Sequence, residues 1–186
     1  MKEKESISNK ATIEKGANIG KNCFIEEGAF IDKRSTIGDN CYIGKDVKVT
    51  DGAIIRDNTH LGEGTKIGFH ADIEGFLMEN ISIVHYSEIN AMIGRGSEIG
   101  AGTFVGALKF NDKNPLFKVQ KLRFTGETIY PCFIGNYVRT GVGTLTLPGV
   151  IIGNESAISP GAIVKENIDD NILLIVKQKN KSKKIK

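Results

Sequence analysis

The chain has 186 residues, 40% of them apolar, enough for one domain with a sizeable core. No stretch approaches the roughly 18 consecutive apolar residues of a membrane span, and "MKEKESISNK" at the start lacks the apolar run of a secretory leader, so a cytoplasmic protein with no membrane partner is expected. The net charge of +3 is local: six of the 25 basic residues lie in the last ten, "KQKNKSKKIK", leaving 19 basic against 22 acidic residues in 1–176, which is no nucleic-acid-binding surface.

From the N-terminus onward the sequence keeps a beat of six. Aliphatic residues fall at Ile7, Ile13, Ile19, Ile25, Ile31, Ile37, Ile43, Val49, Ile55, Leu61, Ile67 and Ile73. From Ile13 on, each is followed four places later by a small or β-branched residue such as Ala17, Cys23, Ala29, Ser35 or Cys41. Neither a helical period of 3.6 nor a simple strand period of 2 gives this pattern. A short strand plus a sharp corner does, repeated three times per coil and stacked about 4.8 Å apart. The expected fold is all-β, a parallel β-helix over 1–176 followed by a basic tail, 177–186. Residues 1–10 are expected to cap one end and "ENIDDNILLIVKQ" the other, as a strand or a short helix. Cys23 and Cys41 share the small inward position one coil apart, where packing as free thiols is the expected role. Cys132 stands alone, with no metal-ligand spacing around it.

The beat breaks twice. After Ile73 the inward residues read Leu77, Ile83, Ile89 and Ile93, so the coil tightens on either side of His85. In that register His85 sits two places after an inward aliphatic, near a corner, with its ring free to face outward. Such a histidine is either plain surface or a base. The second break is a long excursion, about 106–132, carrying Lys109, Lys113, Lys118, Lys121 and Arg123 against Asp112 and Glu127. Ordered excursions of this length tend to be functional. The beat returns at Ile134, Thr140, Thr146, Ile152, Ile158 and Val164.

The repeat is the hexapeptide signature of the left-handed β-helix superfamily, which the chain resembles over nearly its whole length. The left hand and a homotrimer with sites between neighbouring chains are implied by that resemblance. Within 53–168, "AIIRDNTHLGEGTKIGFHADIEGF", "HYSEI", "IGAGTF", "ALKFND" and "RTGVGTLTLPGVIIG" resemble a narrower group. This is the acetyltransferase half of bifunctional N-acetylglucosamine-1-phosphate uridyltransferases and their archaeal sugar-phosphate relatives. The nucleotidyltransferase half has no counterpart here, so uridylyl transfer is not expected.

The resemblance implies a coenzyme A-dependent acyltransferase using acetyl-CoA on a sugar, amino sugar or sugar phosphate or nucleotide, with no metal. His85 of "HYSE" stands at the family's "HLSY" base, and Arg56 at its phosphate-binding arginine. Ala101, Gly102, Gly141, Val142, Pro160 and Gly161 align with the backbone of the coenzyme cleft. The sequence departs from the pattern at Glu74, where the family has its substrate lysine. It departs again at Glu88, which replaces the tyrosine of "HLSY" while Tyr86 lies two residues earlier, and at Glu98 and Ala107, which replace asparagines. With Tyr86, these acids are the expected substrate contacts, suited to a cationic or polyhydroxylated acceptor.

Imidazole titrates near neutrality and suits proton removal from an amine or hydroxyl. Backbone N–H groups beside small residues, as in "IGAGT", suit an oxyanion, and lysines of the excursion or the tail suit the coenzyme's phosphates. Two other classes remain open: a non-catalytic module that binds a sugar nucleotide or trimerises, and a zinc hydratase using the three histidines His60, His70 and His85.

Overall fold

The computed structural model describes residues 6–111, 113, 115–119, 122–125 and 130–184. It is all-β, a left-handed parallel β-helix of about nine turns. Most rungs are two-residue strands whose second residue points inward, as in Tyr42–Ile43, His60–Leu61 and Lys66–Ile67. Among the described residues no helix is long and apolar enough to cross a membrane.

The rungs form three faces. The first carries inward Ile25, Ile43, Leu61, Leu77, Ile93, Ile134 and Ile152 in parallel register. The second carries Ile31, Val49, Ile67 and Ile83 below and Thr140, Ile158 and Leu174 above. The third carries Ile37, Ile55, Ile73 and Ile89, and then Val105, Thr146 and Val164. From Ile25 to Val164 these inward side chains form one continuous buried core. The small partners Cys23, Ala29, Ser35, Cys41, Ala53 and Ala71 are buried at the corners as expected. The two ends are thinner: Ile7 is 43% exposed in the first coil, and Ile168 and Leu174 are only partly buried in the last. At the far end Leu173–Leu174 pairs with Ala157–Ile158, so the C-terminal segment adds a strand rather than a helix.

The two tightenings fall where the inward spacing places them, and their form explains His85. At the edge between the third and first faces the corner is lost, and two rungs fuse into six-residue strands, Asp72–Leu77 and Glu88–Ile93. These run side by side over all six residues. His85 lies on a different edge, at a full six-residue corner between Ile83 and Ile89, and is exposed. The excursion leaves from the same edge as the two fusions, between Val105 and Cys132–Ile134. Within it Leu116–Val119 and Leu122–Thr125 form an antiparallel hairpin that the sequence pattern does not announce. Phe117 is buried and sets its ring edge-on to Phe133 of the first face, 4.9 Å away. Lys113 is exposed; the side chains of Asp112, Lys118, Lys121, Arg123 and Glu127 lie outside the described residues.

Cys23, Cys41 and Cys132 are buried thiols. Burial pushes the Cys41 thiol up to about 11 and Cys132 up to about 12, from a reference of 9.0. The folded chain therefore holds protons that the unfolded chain releases above pH about 9, so stability falls with rising pH from there through the folded values. Urea midpoints measured between pH 8 and 10.5 should decline, and Cys132→Ala should flatten the decline relative to the native chain.

Candidate functional site

The edge joining the second and third faces gathers most of the expected site. Each coil turns there through two residues, the second in the left-handed region: His70 at φ 51°, Tyr86 at 30°, Gly102 at 68°, Gly143 at 69° and Gly161 at 72°. Hydrogen bonds tie the turns into a column. Tyr86 N donates to Phe69 O at 2.7 Å, Gly102 N to Tyr86 O at 2.8 Å, Gly143 N to Ala101 O at 2.8 Å and Gly161 N to Val142 O at 2.8 Å. His85, Tyr86, Ala101, Gly102, Gly141, Val142, Pro160 and Gly161 thus share one edge on successive rungs.

The column changes character above Tyr86. Below, it carries rings: Phe69 is 50% exposed and Tyr86 59%. Above, a Cβ added at Gly143 or Gly161 would meet nothing within 4 Å. The upper edge therefore has open glycine corners at Gly143 and Gly161, beside the exposed side chain of Val142. Two amides of "IGAGT" are already engaged, Gly100 N with Thr140 Oγ1 at 2.9 Å and Gly102 N with Tyr86 O. The amide of Ala101 is left as this turn's N–H without a protein partner among the described residues.

The third face beside this edge holds the acidic departures. Asp72 lies opposite Glu88, and Glu74 opposite Asn90. Arg56 comes up from the coil below and grips Asp72 with two hydrogen bonds, Nε to Oδ1 at 2.7 Å and Nη2 to Oδ2 at 2.5 Å. The hydrogen bonds and charge of Asp72, with smaller help from Glu74 and Glu88, push the Arg56 guanidinium above its ordinary value. Its fork is committed to a carboxylate, which competes with the phosphate role expected for it. Glu74 accepts from Asn90 Nδ2 at 3.1 Å. Burial, and then the charge of Glu74, push Tyr130 at the end of the excursion above its usual range.

Two hollows open on this face. One of about 400 Å³ is bordered by Thr36, Ile54, Arg56, Asp57, Asn58 and Glu74. A smaller one of about 140 Å³ is bordered by His70, Asp72, Tyr86, Ser87, Glu88 and Phe104. Asp72 and Phe104 are residues that motif reasoning did not single out, and His70 was named only as a possible zinc ligand. Glu98 does not join them. It projects from the second face, where Arg139 Nη2 reaches its Oε1 at 3.2 Å.

The three histidines do not converge within the chain. His60 projects from the first face, its ring stacked 4.5 Å from Tyr42 and 4.2 Å from Phe76, and burial lowers its pKa. Among the described residues no three His, Cys, Asp or Glu side chains are grouped to hold a metal.

Residues 34–69 match the family model for the bacterial transferase hexapeptide of six repeats. The chain is 43% identical over 177 residues to the bifunctional protein GlmU of Methanococcus maripaludis, covering 90% of this chain and 43% of that protein. It is 36% identical over 106 residues to the bifunctional sugar-1-phosphate nucleotidylyltransferase/acetyltransferase of Sulfurisphaera tokodaii, covering 55% of this chain and 26% of that protein. The chain thus spans less than half the length of these relatives. The UDP-N-acetylglucosamine acyltransferase of Francisella novicida superposes with a TM-score of 0.64 at 18% identity, over 88% of this chain and 64% of that one. The chain is a β-helix of six-residue repeats that shares its fold with the Francisella novicida acyltransferase and is similar in sequence to part of bifunctional nucleotidylyltransferase/acetyltransferases.

Proposed function

We propose that this protein is a coenzyme A-dependent acyltransferase, taking its acyl group from acetyl-CoA and passing it to a sugar, amino sugar or sugar phosphate or nucleotide. The observation that carries the reading is the single edge on which an exposed imidazole, His85, lies below a series of glycine corners, two of them open. The acetyltransferase activity in the name of the Sulfurisphaera tokodaii relative supports it. The backbone at Ala101–Gly102, Gly141–Val142 and Pro160–Gly161 would hold the coenzyme's arm. When bound, the coenzyme supplies an acyl group activated as a thioester. His85 removes the proton from the acceptor's amine or hydroxyl, and the acceptor rests against the third face among Tyr86, Glu88 and the Arg56–Asp72 pair. The tail leaves at the top of the same edge, where Val176 N donates to Ser159 Oγ at 2.9 Å, so its lysines start beside these corners and could meet the coenzyme's phosphates.

The working unit in this reading is a homotrimer, with each site between neighbouring chains. The outward side chains support it. The first face shows a ladder of Phe24, Tyr42, His60, Phe76, Met92 and Phe133. The upper third face shows Phe104, Leu145 and Ile163 in register. The second face is mostly polar, with Lys48, Lys66, Ser82, Glu98 and Arg139. A closed ring needs two different sticky surfaces per chain, and this chain has two. Phe76→Glu, in the middle of the ladder, should convert trimers to monomers in analytical ultracentrifugation while leaving the β-rich circular dichroism intact. The buried thiols fit a reducing, cytoplasmic compartment.

Purified protein incubated with acetyl-CoA and a panel of hexoses, hexosamines and their phosphates, with free thiol release followed, tests the reading. Saturable sugar binding without thiol release would instead favour a non-catalytic module, to which the Arg56–Asp72 clasp and the acidic third face lend support. Stoichiometric zinc in the purified protein would favour a hydratase.

A further inference from the structure

His70 occupies the rung directly below His85 on the same edge, and nothing in the repeat singles it out. As the second residue of its turn, with φ 51°, it projects toward the third face, where it borders the hollow of about 140 Å³ with Asp72, Tyr86, Ser87, Glu88 and Phe104. His85 does not border that hollow.

The His70 ring is held in place without using its nitrogens. A Cβ on Gly52, one rung further down, would lie 3.2 Å from Cε1 and 3.3 Å from Nδ1 of His70, so glycine leaves the space the ring occupies. On its other side the Phe69 ring meets it edge-on at 4.7 Å and 79°. No hydrogen bond from either ring nitrogen to a protein group is found among the described residues, so neither is committed within the chain. Beside it stand two exposed side chains, Glu88 and Tyr86. Glu88 makes no side-chain hydrogen bond or ion pair among the described residues. The Tyr86 ring, 59% exposed, is fixed only by an edge contact with Phe104 at 6.2 Å. Asp72 is already paired with Arg56, so the uncommitted carboxylate of Glu88 and the imidazole favour a ligand rich in hydrogen-bond donors, and Glu88 disfavours a phosphate beside it.

We infer that His70 is an acceptor-binding residue: its imidazole, with Glu88 and Tyr86, holds a hydroxyl- or amine-bearing, unphosphorylated part of the acceptor beside the third face, while His85 on the next rung moves the proton. This rests on the acyltransferase reading and adds to it a second imidazole with a separate task.

Steady-state kinetics of the full chain with acetyl-CoA and the best acceptor of the panel test it, using His70→Asn and His70→Gly. Asparagine and glycine both tolerate positive φ, so the turn survives either change. The expected result in both variants is an acceptor KM raised about three- to tenfold, the worth of one ordinary hydrogen bond. The KM for acetyl-CoA, kcat and the melting temperature should stay close to those of the native chain. An acceptor KM that stays at the native value in both variants overturns the inference and leaves the acyltransferase reading standing. So does a loss confined to kcat or matched by a fall in melting temperature. A native chain that turns over none of the panel overturns both.

Discussion

Replacing His85 by alanine lowers kcat for acyl transfer by about 10²- to 10⁴-fold, the usual contribution of a positioned general base. The KM for acetyl-CoA should be nearly unchanged, because the glycine corners above lie on other rungs and do not depend on that side chain. The fold should be unchanged too. His85 is exposed, and its carbonyl accepts a hydrogen bond from Ser87 Oγ at 3.0 Å, which alanine keeps. Rapid-quench or thiol-release kinetics on the purified variant, with circular dichroism and melting as controls, check this. Full activity would remove His85 from the mechanism and direct attention one rung down. If the protein is instead a binding module, the substitution leaves sugar affinity intact, since the ring does not border either hollow on the third face.

The fold was legible because every rung repeats the same physical decision: one aliphatic in, a small residue at the corner, glycine or a short polar residue where φ turns positive. Even the two tightened coils showed as steps of four in the aliphatic register. The hairpin at Leu116–Val119 and Leu122–Thr125 did not show, because the strands pair only with each other and obey no beat set by the prism. The site was half legible. Motif matching brought eight expected residues onto one edge, since position within a six-residue unit fixes position on a corner. The same matching joined Glu98 to Glu88, although each precedes an inward aliphatic on a different face. Counting units in threes from Ile89 to Ile99 would have separated them. His70 was named only as a possible zinc ligand and not as an acceptor contact, because a polar residue at a turn is ordinary surface; the ring's footing on Gly52 and the hollow beside it mark it out.

The structural change with the largest expected effect lies where two rungs fuse beneath the acidic face. Gly75 sits in the middle of Asp72–Leu77, opposite Ala91 of Glu88–Ile93, and is buried. A Cβ there would fall 2.0 Å from the carbonyl oxygen of Ala91, at a φ of 151° that side chains rarely adopt. The obstacle is backbone rather than the end of a movable side chain, and both strands are held over six consecutive pairs, so neither can yield cheaply. Gly75 N also donates to the buried Thr59 Oγ1 at 3.3 Å, which any shift would stretch. Gly75→Ala should therefore destabilise the chain by about 3 kcal/mol or more, adding backbone strain to overpacking. Gly161→Ala is the matched comparison. It shares a positive φ, 72°, but nothing lies within 4 Å of its new Cβ, so only the strain remains, about 1 kcal/mol. Urea unfolding of the two variants separates the contributions. Equal midpoints would mean that Asp72–Leu77 and Glu88–Ile93 are not locked at this distance. Asp72, Glu74 and Glu88 project from those same two strands, so the acceptor surface could then not be treated as rigid.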